Sequence, residues 1–214
     1  MEILNPHISG RKELPMKKLV KYLATISVLV LAFTAITGQA VDPASYTDMG
    51  SVDAAHRTAV ENCSAKGIIN GLPDGSFDPN GNVTREQMAK MIVIAITDGA
   101  ALTEGSGKEF TDVPLDRWSC SYIEYAANSD ILCGVGNGQF LPEDNVTGVQ
   151  AAKMLLVGVC GRSANSYVGS QWLMNVTLDA CTYGLYNSIE DIDVSAPLSR
   201  EHAAQIIWNA LQAK

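Results

Sequence analysis

No GxSxG, HExxH or P-loop signature occurs anywhere in the 214 residues, so the common marks of a nucleophilic hydrolase, a zinc protease or a nucleotide-binding site are missing. Histidine is scarce, with His7, His56 and His202 alone. Acidic residues are plentiful, but no two of them stand out as an acid and a base. The chain therefore reads as non-catalytic, with no cofactor and no metal assigned. Basic residues are also few: 15 Lys and Arg stand against 23 Asp and Glu, a formal net charge of −8. A nucleic-acid binder would show a basic patch, and none is visible. The acidity suits a solvated outer surface and says little about fold. The five cysteines, Cys63, Cys120, Cys133, Cys160 and Cys181, form no CxxC pair and no zinc-ligand spacing. Most read as small buried apolar side chains. An exported chain also leaves room for one or two disulfides.

Export is indicated at the start. From Met16 the sequence runs MKKLVKYLATISVLVLAFTAITGQA. Lys17, Lys18 and Lys21 precede an apolar stretch from Leu23 to Ile36, and Gly38-Gln39-Ala40 supplies small residues before a cut. These are the parts of a secretory signal peptide over 16–40, with cleavage expected after Ala40. A membrane anchor is the other reading, but the stretch is short of the ~20 residues a span needs. Residues 1–15 resemble neither a signal nor a domain. Beyond Ala40 the chain keeps ten bases and twenty-one acids, a net of −11, and no second apolar run of spanning length.

A repeat organises the rest. GLPDGSFDPNGNVTREQMAKMIVIAI from Gly71 aligns with GVGNGQFLPEDNVTGVQAAKMLLVGV from Gly134 at a fixed offset of 63 residues. Gly75 matches Gly138, Phe77 matches Phe140, and Asn82-Val83-Thr84 matches Asn145-Val146-Thr147. A weaker third copy, Leu198-Ser199-Arg200-Glu201-His202-Ala203-Ala204, ends the chain. One supersecondary unit is thus used three times. Thr84 with Gln87, and Thr147 with Gln150, have the spacing of a capping box. Val83 can pack on Met88 as a hydrophobic staple. Apolar residues then recur at helical spacing behind each cap. In the third copy Ser199 caps, but His202 replaces the glutamine and leaves that box incomplete. Upstream of each cap a further helical pattern appears: Val52, Ala55, Ala59 and Cys63, then Trp118, Tyr122, Ile123 and Ala126, then Trp172, Val176, Asp179 and Ala180. The unit is helix, glycine-rich turn, capped helix. Such helices are marginal alone, so neighbouring units must bury one another.

The run GLPDGSFDPNGNVTREQ resembles the central signature of S-layer-homology modules, and Phe110-Thr111-Asp112-Val113-Pro114 followed by Trp118 resembles the opening of one. Tyr46-Thr47-Asp48 is a similar opening without the tryptophan. The resemblance implies an all-α fold of three helix–loop–helix modules, at 44–98, 108–160 and a degenerate 164–214, packed as a pseudo-threefold spindle. It implies an exported protein at the bacterial cell wall or surface. It further implies non-covalent binding of cell-wall polysaccharide attached to peptidoglycan, often through a pyruvylated sugar, in grooves between modules. The family's arginine falls on Arg85 and Arg200; Gly148 stands there in the second module. Thr84, Gly75, Ser76, Gly138, Asp112 and Trp118 complete the glycan-binding set.

The chemistry is reasonable from the residues upward. Each arginine follows an N-cap, where a helix start offers N–H groups and a positive dipole end, and its planar fork suits a carboxylate. Simpler readings stand beside this one. Both arginines could be solvated first-turn residues. Trp118 and Trp172 could be core rather than sugar platforms. Asp48 and Asp112 could cap the first helices. Ser76 to Gln87 resembles part of a calcium loop but lacks its first aspartate and its twelfth-position glutamate. Binding of other surface proteins is the alternative function. On the sugar-binding reading, replacing both arginines with alanine strongly weakens wall binding and retains the fold.

Overall fold

A computed structural model describes residues 46–213. Among them six α-helices occur and no β-strand, so the fold is all-α. The helices are α1 (Arg57–Ala65), α2 (Arg85–Thr97), α3 (Cys120–Asn128), α4 (Gly148–Gly158), α5 (Trp172–Thr182) and α6 (Arg200–Gln212). None of the described helices is long and apolar enough to cross a membrane. The signal-peptide segment lies outside the described residues.

The caps set where α2, α4 and α6 begin. Thr84 Oγ1 accepts the Gln87 N–H at 3.3 Å while Gln87 Oε1 accepts the Thr84 N–H at 3.0 Å. Thr147 and Gln150 repeat this at 3.4 and 3.1 Å. Ser199 accepts from His202 at 3.3 Å, with no return bond from the imidazole. The upstream helices of the first two repeats start later than the apolar spacing predicts, whereas that of the third begins at Trp172 as expected. Val52 is buried but follows a short 3-10 turn at Met49–Ser51, and Ala55 and Trp118 precede α1 and α3. The Ala55 N–H is held by the Asp53 carboxylate at 2.8 Å, an Asx turn that delays the helix.

Each capped helix packs on the leading helix of the next repeat: α2 on α3, α4 on α5, and α6 back on α1. The three capped helices also touch one another. Their apolar faces (Met88 and Ile92 of α2, Ala151 and Leu155 of α4, Ala203 and Ile207 of α6) are all fully buried. Gly158 permits one close approach, because a Cβ there would lie 3.2 Å from Ile92 and Ile131.

The residues just before the caps join in a ring of backbone bonds. Val83 N–H donates to Leu198, Leu198 N–H to Val146, and Val146 N–H to Val83, each at 2.9 Å. All three side chains are buried. Val83 thus closes the junction of three repeats. Such a ring satisfies backbone groups that would otherwise be orphaned in the core.

Candidate functional site

The glycine-rich turns of the first two repeats are each clasped by an aspartate. Asp112 Oδ1 and Oδ2 accept the Phe140 and Leu141 N–H groups, both at 2.8 Å. Asp48 does the same for Phe77 and Asp78 at 2.7 and 2.8 Å. Burial pushes the Asp112 carboxyl up, but the two backbone N–H bonds outweigh it and hold the group below the usual carboxylate range. Asp48 makes no side-chain cap to the turn it precedes, so the capping reading gives way to a loop clasp. Gly75 and Gly138 sit at φ +84° and +71°, where a side chain would be strained. Their carbonyls accept the Thr47 and Thr111 N–H groups at 3.1 and 2.8 Å. Ser76 is tied to Asp74 by its N–H and its hydroxyl.

The clasped turn presents carbonyls to an arginine from the preceding repeat. Arg85 Nε donates to Phe140 O at 2.8 Å and Nη2 to Cys133 O at 3.1 Å. Arg200 Nε donates to Phe77 O at 2.7 Å and Nη2 to Asn70 O at 2.8 Å. Each guanidinium also lies over the phenylalanine ring, at 4.5 Å from the Phe140 centroid and 5.1 Å from that of Phe77. Both residues are 6% exposed. The solvated first-turn reading is therefore wrong, because these side chains clamp adjacent repeats. Burial pushes both guanidinium groups below their ordinary value. Neutral carbonyls hold these desolvated charges, so an incoming anion would be favoured beside them.

The helix starts are closed as donors. Arg85 and Glu86 N–H donate to Asp144 and Pro142, Gly148 and Val149 to Ala196 and Val194, and Arg200 and Glu201 to Gly81 and Pro79. The free helix-end N–H groups expected for an anion site are engaged with the neighbouring loop instead. Gly148 is explained by the same packing. A Cβ there would lie 3.1 Å from Val194 Cα, so the loop that replaces the glycine turn in the third repeat fills the arginine's place.

Beside Arg85 lies a cavity of about 390 Å³. Arg85 of the first repeat, Gln150 and Lys153 of α4, and Trp172 at the start of α5 face it, over an apolar wall of Leu132 and Met154. Trp172 is half-buried and packs against the core edge, so it serves both as core and as lining. Trp118 is 54% exposed and stands outside this lining, which overturns its core reading. Thr84 acts as a cap. Of the residues that the sequence offered as ligand contacts, the structure brings Arg85 and Trp172 to the cavity, and it adds Gln150 and Lys153. Lys153 had a visible signal, since Lys90 repeats at its offset of 63.

Cys63, Cys120, Cys133 and Cys181 are free thiols, the first two buried and the others exposed. Burial pushes the Cys63 thiol up to about 12, which leaves it an inert core side chain.

Residues 45–89 and 109–152 match the S-layer homology domain. These two matches fall on the first and second repeats. It is 32% identical over 143 residues, 66% of its length, to a cell surface protein of Thermoanaerobacter kivui, and spans 19% of that protein. It is 28% identical over 69% of its length to a surface layer protein of Brevibacillus choshinensis, spanning 13% of it. An amylopullulanase of Thermoanaerobacterium thermosulfurigenes matches 73% of the chain at 28% identity, over 9% of its own length. The chain spans a fifth or less of these curated relatives. Its modules are those of secreted proteins of the bacterial cell surface.

Proposed function

We propose that this protein is a non-catalytic anchor that holds an acidic polysaccharide of the bacterial cell wall, a pyruvylated secondary polymer, in the groove beside Arg85. The observation that carries the reading is the convergence of Arg85, Lys153 and Trp172 on one cavity. Two cations suit a carboxylate-bearing sugar, and a half-exposed indole suits a sugar face. The closed order of helix pairing supports three modules on a pseudo-threefold plan, with residues 164–214 as the third.

The test is binding to purified wall sacculi, before and after chemical removal of the secondary polymer. Trp172→Ala and Lys153→Ala should each weaken binding at least about tenfold, the loss of one stacking or charge-assisted contact. Unchanged binding by both would sink the groove. A second reading, docking of another surface protein, is favoured by the exposed apolar residues Val168, Leu173, Met174 and Leu178 around the start of α5. Sacculus binding that ignores the polymer would select it.

A further inference from the structure

The junction of α6 with α1 repeats that of α2 with α3, but its polar chemistry differs. At the α2–α3 junction the Glu86 carboxylate is enclosed by donors: Arg117 Nε at 2.8 Å, Arg117 Nη2 at 3.0 Å and Ser119 Oγ at 2.6 Å. At the α6–α1 junction Glu201 takes the place of Glu86. Ala54 and His56 take the places of Arg117 and Ser119, and His202 that of Gln87. A carboxylate that elsewhere meets a guanidinium and a hydroxyl here meets two imidazoles.

Their geometry is that of ligands. His56 Nε2 lies 2.9 Å from the Ser188 carbonyl, so Nε2 carries the proton and Nδ1 presents its lone pair. His56 is 5% exposed, and its Nδ1 has no hydrogen-bond partner. That nitrogen faces Glu201 Oε2 at 3.6 Å, a lone pair against an anion. The His202 ring stands edge-on to His56, with centroids 5.2 Å apart. One donor atom from each of His56, Glu201 and His202 lies within 4.8 Å of the others. The Asp53 N–H holds Glu201 Oε2 at 3.1 Å, and the Ser188 carbonyl fixes His56. Both are the outer contacts that orient metal ligands. A cavity of about 280 Å³, bordered by Asp53 and Glu190, opens beside the three groups.

We propose that His56, Glu201 and His202 form a binding site for a divalent transition-metal ion of the zinc class. Two imidazoles and a carboxylate are the donor set such ions take, with a fourth position left to water or to a carboxylate of the cavity rim. Tetrahedral bonds of about 2.1 Å need donor atoms about 3.4 Å apart, so the side chains close by a small rotation. The ion joins the first repeat to the third, and so locks the closed order of helices at its seam. This site is separate from the groove beside Arg85 and stands without that reading.

The test is titration of the purified protein, first stripped with chelator, with Zn²⁺ alone in a calorimeter and in thermal melts, and with Co²⁺ for its visible spectrum. One Zn²⁺ per chain is expected. At a hundredfold excess over Kd the melting temperature should rise by about 5–10 °C. Co²⁺ should give the intense visible bands of a four-coordinate site. His202→Gln restores the capping partner found at Gln87 and Gln150, so it keeps the fold and should lose affinity at least about tenfold. His56→Gln should lose it as well. Absence of saturable Zn²⁺ binding, or a His202→Gln protein that binds as tightly as the parent, overturns the proposal.

Discussion

Arg85 and Phe140 meet twice, through the Nε bond to the carbonyl at 2.8 Å and through the guanidinium lying 4.5 Å from the ring centroid. Arg200 and Phe77 repeat the pair between the third repeat and the first. The side chain that the sequence offers as a ligand contact is thus also a brace between modules. Any loss of binding on its removal mixes two effects, and the stability of the fold separates them.

Arg85→Ala is therefore expected to destabilise the fold. It strips the Phe140 and Cys133 carbonyls of their guanidinium donors, and an unsatisfied buried acceptor costs about 1–3 kcal/mol. Urea denaturation should show a loss of about 2–4 kcal/mol on these grounds. Arg85→Lys should recover less than half, because an ammonium cannot span both carbonyls with a planar fork. A loss under about 0.5 kcal/mol, the range of an ordinary surface change, would mean that the clamp is dispensable. The double alanine variant, expected from sequence to keep its fold, should by the same geometry lose stability at both junctions.

Much of the architecture was legible because it is local. Thr84-x-x-Gln87 and Thr147-x-x-Gln150 state their helix starts in four residues, and the 63-residue offset states the repetition. What sequence could not give was which repeat each side chain serves. Asp112 looks like a helix cap beside Trp118, yet it reaches across 28 residues to Phe140 N. Trp172 belongs to the third repeat and lines a cavity to which the first repeat brings Arg85 and the second brings Leu132, Gln150, Lys153 and Met154. His56 and His202 gave no motif because they meet only when α6 returns to α1. Local pattern carries the caps, whereas the order of packing between repeats carries the sites.

Arg117 should prove worth more than its surface position suggests. It binds Glu86 through two bonds, and the Glu86 side chain is 8% exposed. Its other partner, Glu143, is 80% exposed. Arg117→Ala leaves Glu86 a nearly buried charge with the Ser119 hydroxyl as its remaining side-chain donor, and should cost about 2–4 kcal/mol. Glu143→Ala breaks a solvated pair and should cost less than about 0.5 kcal/mol. Equal losses in chemical denaturation would contradict this division.

Glu124 gives the link between the first two repeats an acid-sensitive fastening. Its carboxylate accepts the Ser106 N–H, the Ser106 hydroxyl at 2.9 Å and the Lys108 N–H at 3.2 Å. Burial pushes the carboxyl up, but these bonds outweigh it and hold the folded group below its ordinary value. In the unfolded chain the group titrates near the ordinary glutamate value of about 4.3, so the unfolded state takes up the proton first as pH falls. The stabilisation is complete above that value and fades as pH drops through the lower folded one. Glu124→Gln keeps the size and removes the titration. The difference in unfolding free energy between parent and variant should be constant from pH 7 to about 5 and shrink below about 4. Protection of the amides from Gly105 to Lys108, taken relative to their intrinsic exchange rates at each pH, should fall over the same interval in the parent alone. A difference that stays level down to pH 3 would mean that the carboxylate's charge does not fasten the link.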